Sequence, residues 1–160
     1  MTILREKLSS ITNITGDRVE FKETTNTLKT IIKKHGLLTG SYLFDVQNEE
    51  SDRDILIPPY VNITFEEIIA QHNGIYLHED EENDIDHYFQ EGFSSCYVLA
   101  NNEIVNLILP HNQEHFERWV YASGMMVVHR KDKDFFEKIK NKEFRVEMFE
   151  KFKEEYNGNN

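Results

Sequence analysis

Leu38-Thr39-Gly40-Ser41-Tyr42-Leu43-Phe44-Asp45-Val46-Gln47-Asn48-Glu49-Glu50-Ser51-Asp52-Arg53-Asp54-Ile55-Leu56-Ile57 joins a short apolar run, ending in Gly40 and Ser41, to a second apolar run opened by two aspartates. Asp52 and Asp54 stand two apart, and in a strand residues i and i+2 point to the same face, so their carboxylates are expected to converge. Two hard oxygen donors on a rigid strand make a seat for Mg²⁺ that leaves coordination positions for water and a substrate phosphate. Gly40 lets the backbone approach a phosphate closely, and Ser41 offers a hydroxyl and an N–H at the start of the next element. The alternative is a polar loop followed by an Asx turn into a strand.

The flanking sequence supplies helices and further strands. Upstream, residues 2–13 carry Ile3, Leu4, Leu8 and Ile11 on one helical stripe that Gly16-Asp17 breaks. Thr24 or Thr25 caps a helix running to Lys34, with Leu28, Ile31 and Ile32 inward and Gly36 as its stop, so residues 37–39 become the first core strand. Residues 45–50 form a polar loop. The strand 52–57 is halted by Pro58-Pro59, and on its other face Arg53 is placed to pair with an acid across the sheet. Thr64-Phe65-Glu66-Glu67 reads as a capping box opening a helix to Gln71, with Ile68 and Ile69 buried and Gly74 as its stop, before a strand at 75–77.

Strands at 96–100 and 103–109 are joined by Asn101-Asn102, a hairpin turn because Asn tolerates positive φ. Pro110 is expected to start a helix with Phe116, Trp119, Val120 and Met125 inward. Helices at 131–142 and 144–156 turn Phe135, Phe136, Ile139, Phe149 and Phe152 inward, an aromatic spacing that favours core over a base-stacking platform. The alternation gives an α/β (α+β) fold, a small mixed sheet flanked by helices, in a single domain over residues 1–160.

At 160 residues the chain is long enough for a core without disulfide or metal staples, and eleven Phe and seven Tyr supply much of its burial. No apolar run reaches membrane-span length, residues 1–6 hold no signal-peptide core, and the single Cys96 excludes an internal disulfide, so a reducing cytoplasm is the expected location. The net charge of −11 argues against a nucleic-acid partner. Much of the excess sits at Glu79, Asp80, Glu81, Glu82, Asp84 and Asp86, a self-repelling loop that lacks the Gly of a tight Ca²⁺ loop.

Gly40-Ser41, the variable segment and Asp52-Arg53-Asp54 resemble the signature of the DNA polymerase beta-like nucleotidyltransferase superfamily: an apolar residue, Gly, Gly or Ser, a variable stretch, then Asp, any residue, Asp. Ser51-Asp52-Arg53-Asp54-Ile55 is similar to the wording of the small, minimal members, and Val105-Asn106-Leu107-Ile108 followed by a helix with Trp119 and Tyr121-Ala122-Ser123 resembles nucleotidyltransferase-like proteins of bacteria and their phages. The resemblance implies a nucleotidyltransferase-like fold and Mg²⁺-dependent transfer of a nucleotidyl group from a nucleoside triphosphate such as ATP. Gly40 and Ser41 would bind the nucleotide's phosphates, and Asp52 and Asp54 would hold the metal as catalytic residues. Members commonly place a third carboxylate on a later strand between apolar residues. Asn106, in Val105-Asn106-Leu107, occupies that spot, and there the sequence departs from the pattern. An amide oxygen can ligate Mg²⁺ but cannot act as a general base. Glu103 is a substitute on the opposite face, and the structural alternative for Asn106 is an amide satisfied by neighbouring backbone.

The acceptor is not written in the sequence; the acidic balance favours a small molecule or a protein hydroxyl over a nucleic acid, with no membrane partner. His111-Asn112-Gln113-Glu114-His115 matches the H-x-x-E-H arrangement of zinc hydrolases, though too little chain follows for their distant third ligand. The remaining histidines have no Ser or Cys partner at a recognisable spacing. Two readings of a different class stand beside the enzyme: a lapsed copy that binds a nucleotide or protein partner, motivated by Asn106, and an interaction protein using the acidic loop.

Overall fold

The computed structural model describes residues 21–48, 51–76 and 92–156. The expected N-terminal helix at 2–13, Leu77 and the acidic window at 79–86 lie outside them.

Thr25 rather than Thr24 opens the first described helix, α1 (Asn26–His35): its hydroxyl accepts the Leu28 N–H at 3.2 Å, meeting one of the donors a helix start leaves unpaired. Thr24 instead sends its own hydroxyl proton to the His72 carbonyl at 2.5 Å. α1 ends at Gly36 and leads directly into β1 (Leu37–Thr39). After a five-residue helix, α2 (Gly40–Phe44), the chain returns as β2 (Arg53–Leu56) and passes through a 3₁₀ turn (Pro59–Val61) and α3 (Phe65–Gln71). The hairpin β3 (Phe93–Ala100) and β4 (Glu103–Pro110) follows. The four strands form one mixed sheet in the order β1-β2-β4-β3, with β2 and β4 parallel and the other neighbours antiparallel. The fold is therefore α+β.

Alternation along the strands sorts the core onto two faces. Ile55, Ile57, Val105, Leu107, Leu109, Cys96 and Val98 share one face with Leu28 of α1 and Ile68 of α3. Leu56, Ile108 and Phe93 pack on the other against Phe116 and Trp119 of a long helix, α4 (Gln113–His129). A second apolar cluster joins Phe44 of α2, Ala122 and Met126 of α4, Ile139 of α5 (Lys133–Ile139) and Phe152 of α6 (Lys142–Glu155). No helix among the described residues is long and apolar enough to cross a membrane.

Several local expectations are corrected. β1 is an edge strand, not a core strand: Leu37 and Leu38 are 43% and 37% exposed, and only Thr39 is buried. Pro110 ends β4 opposite Phe93, a strand-end position where a missing N–H is tolerated, and Asn112 starts α4 by accepting the His115 N–H at 2.9 Å. Phe116, Trp119 and Met125 of α4 pack inward as expected, beside the buried Ala122, Ser123 and Met126, and Val120 is exposed. α3 buries Ile68 and exposes Ile69. Its end is turned by Asn73 at φ 58°, with the Gly74 N–H reaching back to the Ile68 carbonyl at 3.0 Å. Asp132 and Asn141 cap α5 and α6 through the Phe135 and Phe144 N–H groups, both at 2.9 Å.

Asn101 and Asn102, at φ 55° and 67°, make the two-residue turn that matches the twist of a β-hairpin. Asn102→Gly should stabilise the fold by about 0.5 kcal/mol, because glycine occupies that conformation freely, whereas Asn102→Val should cost about 1–2 kcal/mol. Urea denaturation of the three proteins, compared at equal m-value, checks the order.

Candidate functional site

Parallel pairing of β2 with β4 sets Asp54 opposite Asn106, on the sheet face that carries Leu56 and Ile108. The Asn106 amide N–H donates to Asp54 Oδ1 at 3.1 Å. A second neighbour of this carboxyl is Gly40. At φ 72° Gly40 takes a left-handed conformation, and its Cα lies so close to Asp54 that an added Cβ would overlap Oδ2 and stand 2.9 Å from Cγ. Glycine is thus required twice, by the backbone angle and by the carboxyl that fills the side-chain space.

Asp52 lies one residue ahead of β2 and is half-buried, so the expected strand at 52–57 is shorter at both ends. Its charge is nonetheless felt at Asp54. Burial pushes the Asp54 carboxyl up from its ordinary value of 3.8 to about 6, and the neighbouring Asp52 charge adds to the shift. The Asn106 hydrogen bond and the positive charges of Lys142 and Arg145, in the first turn of α6, oppose it. Arg145 is half-buried, its own pKa lowered by burial and held up by Asp54, and its Nη1 donates to the Ile139 carbonyl at 2.9 Å.

Asn106 differs from a backbone-satisfied buried amide, because its nitrogen bonds a carboxylate and its Oδ1 is buried with no hydrogen-bond partner among the described residues. An orphaned acceptor of this kind calls for an explanation, an unseen ion or water included. The donor set of two carboxylates and an amide oxygen, all hard oxygens, fits Mg²⁺. Among the described residues there is no cluster of three or more His, Cys, Asp or Glu side chains that could hold a metal ion.

Ser41 follows Gly40 in α2, and its carbonyl accepts the N–H of Val46 at 3.0 Å. Thr39, just before Gly40, is anchored from below. Its Oγ1 accepts the Trp119 indole N–H at 3.2 Å and shares a hydrogen bond with Ser123 Oγ at 2.8 Å, tying the turn to α4. On the far face Arg53 pairs with Glu103 at 3.2 Å and lies 4.5 Å over the Tyr42 ring, the acid partner expected of it. That pair occupies Glu103 away from Asp54.

Thr39, Ser123, Lys142 and Arg145 are not singled out by sequence reasoning, which places Trp119 only in the core. The one readable signal was a polar Thr within an apolar run before glycine. The histidine motif dissolves: His111 precedes α4 and its Nε2 hydrogen-bonds Ser94 Oγ at 2.9 Å, whereas His115 lies in the first turn against Gly92. Burial pushes the Cys96 thiol up to about 12, which makes it unreactive. No protein-family model, curated protein or solved structure matches the chain.

Because the folded-state pKa of Asp54 lies above its ordinary value of 3.8, the folded chain holds this proton more tightly than the unfolded chain. The stability linked to it is fully present below about pH 4 and is lost as pH rises through about 6, a loss on the order of 2–3 kcal/mol. Asp54→Asn should therefore melt higher than wild type at pH 7.5 and converge with it near pH 4. Thermal denaturation across that range, without divalent ions, checks the sign.

Proposed function

We propose that the chain is a Mg²⁺-dependent nucleotidyltransferase that moves a nucleotidyl group from a nucleoside triphosphate to a hydroxyl acceptor. The observation that carries this is the packing of the left-handed Gly40 against the Asp54 carboxyl, which joins the glycine turn and the aspartate strand in one place. A polar loop that happens to precede a strand has no need of that contact. The resemblance of residues 40–54 to the superfamily signature supports the same function.

Asp52, Asp54 and the Asn106 Oδ1 would hold the ion, and the backbone of Gly40 and Ser41 would receive the triphosphate. Bound there, Mg²⁺ would supply positive charge to the α-phosphate and to the departing pyrophosphate. The acceptor oxygen forms a bond to the α-phosphorus, and the bond from that phosphorus to the β-bridging oxygen breaks, its electron pair leaving with pyrophosphate. The acceptor proton leaves to water, because Asp52 and Asp54 would both be committed to the ion and the amide of Asn106 cannot take it. The acidic balance favours a small molecule or a protein hydroxyl as acceptor, and the single Cys96 favours a reducing cytoplasm as the setting.

A second function of another class, nucleotide binding without transfer, draws on one observation. Asn106 is neutral and already donates to Asp54, so the site lacks one negative charge and one base. Pyrophosphate release from labelled ATP, GTP, CTP or UTP with Mg²⁺ or Mn²⁺ separates the two. The expected outcome is slow release that Asp52→Ala lowers by at least about 100-fold and Asn106→Asp accelerates by lowering the metal concentration required. Absence of release from wild type and Asn106→Asp alike, with nucleotide binding retained, would establish the binding module. A fast wild-type rate indifferent to Asn106→Asp but abolished by Glu103→Gln would move the third position to Glu103.

A further inference from the structure

α4 departs from the pattern of a surface helix. A helix packed by one side against a core ordinarily turns charged residues to solvent, and α6 does so: every exposed residue in it except Val146 is a Lys or a Glu. In α4 the segment from Trp119 to Val128 holds no charged residue, although 29% of the chain is charged. The core side of that segment is Trp119, Ala122, Ser123 and Met126. Its other side is Val120, Gly124 and Val128, which recur at every fourth position and so stack along one stripe. The two valines are 42% and 58% exposed, and a Cβ added at Gly124 would meet nothing within 4 Å. Exposed valines standing singly need no explanation, but an uncharged stripe along the middle of a 17-residue helix is a surface against which another helix can lie.

The charges that bound the stripe identify what covers it. Glu117 and Lys131 stand at equal distances before and after Gly124, about 10 Å along the axis. Lys131 is exposed in the turn that carries α4 onward, its N–H reaching the Val128 carbonyl at 3.4 Å, and among the described residues its ammonium has no ion pair. Glu117 is bonded only by neutral donors, the Gln113 amide at 3.1 Å and the Tyr156 hydroxyl at 2.8 Å, so its charge also lacks an opposite among the described residues. Two copies of α4 laid antiparallel about a two-fold axis at Gly124 set Val120 against the partner's Val128 and Glu117 against the partner's Lys131, each contact occurring twice by symmetry. Glycine on the axis lets the two backbones come close, and the apolar centre with charged ends is the ordinary anatomy of an interface. A stripe complementary to its own reversal fits a second copy of this chain. We infer that the outer face of α4 is the contact of a homodimer, an antiparallel helix pair crossing at Gly124. Trp119 and Ser123, which hold Thr39 beside the Gly40 turn, lie on the opposite side of the helix, so the inference stands independently of the nucleotidyl-transfer reading.

Sedimentation equilibrium of the full chain, from about 1 to 500 µM in about 0.1 M salt, should show a reversible equilibrium between monomer and dimer, the salt screening the repulsion between two chains of net charge −11. Gly124→Glu and Val128→Asp, both at exposed positions, should each weaken the dimer by at least about tenfold without lowering the melting temperature of the dilute monomer. Glu117→Lys and Lys131→Glu should each weaken it by about tenfold, because like charges then face each other at both ends of the pair. An equimolar mixture of these two variants should associate about as tightly as wild type, since every facing pair is again of opposite sign. Gly124→Glu, Val128→Asp and Lys131→Glu disturb no side-chain hydrogen bond among the described residues, and melting curves of the separate variants show whether the lost bond from Tyr156 unsettles Glu117→Lys. A wild-type chain that stays monomeric throughout, a dimer indifferent to Gly124→Glu and Val128→Asp, or a mixture no tighter than its folded components would overturn the inference.

Discussion

The parallel pairing of β2 with β4 is the constraint on which the rest of the structure hangs. Two adjacent parallel strands cannot be joined by a tight turn, so the chain between them must leave the sheet and return. The segment after β2 does this with a proline-broken 3₁₀ turn and α3, then re-enters as β3 and folds back through Asn101-Asn102 into β4. The in-register pairing of Asp54 with Asn106 follows from that excursion. A one-residue slip would turn every β4 side chain to the opposite face, carrying Leu107 out of the core it shares with Leu28 and Ile68. The apolar residues on both faces therefore lock the register that brings the polar pair together.

The same pairing puts a carboxyl where water is scarce. Among the described residues Asp54 has no close ion pair; it accepts from an amide donor, is repelled by Asp52 and feels the positive charges of Lys142 and Arg145 in α6. An arrangement designed for stability alone would satisfy that group or replace it. The cost is offset elsewhere, by the aromatic and aliphatic packing of α2, α4, α5 and α6 around Phe44. Stability and polarity are thus separated in space, with the polar pair lying between the two apolar clusters.

What the sequence disclosed divides along the range of the interactions. Caps at Thr25, Thr64 and Asn141, the stop at Gly36 and the Asn101-Asn102 turn act over a few residues, and all but the Asn141 cap were readable from local chemistry. The mixed sheet followed from the alternation of helices and strands, and the place of Asn106 from its apolar frame. Of the inward stripe expected of α4, Phe116, Trp119 and Met125 pack against the core, whereas Val120 is exposed and the small Ala122 fills the contact with Phe44 and Phe152. The edge position of β1 was hidden because Leu37-Leu38 is as apolar as a core strand. Lys142 and Arg145 were illegible for a plainer reason. On an amphipathic helix they look like any solvated cations, and only tertiary packing brings them to a strand far upstream.

Trp119 is the only tryptophan in the chain, and it is hydrogen-bonded to the residue just before Gly40 while stacking edge-on with Phe93 and Phe149 at centroid distances of 4.8 and 5.0 Å. The Lys153 ammonium lies 4.7 Å over the same indole. An indole so placed is a built-in fluorophore whose emission depends on a hydrogen bond to the Gly40 turn and on a nearby charge carried by α6. Its spectrum therefore reads out, from one chromophore and without a label, the relative position of the Gly40 turn and α6.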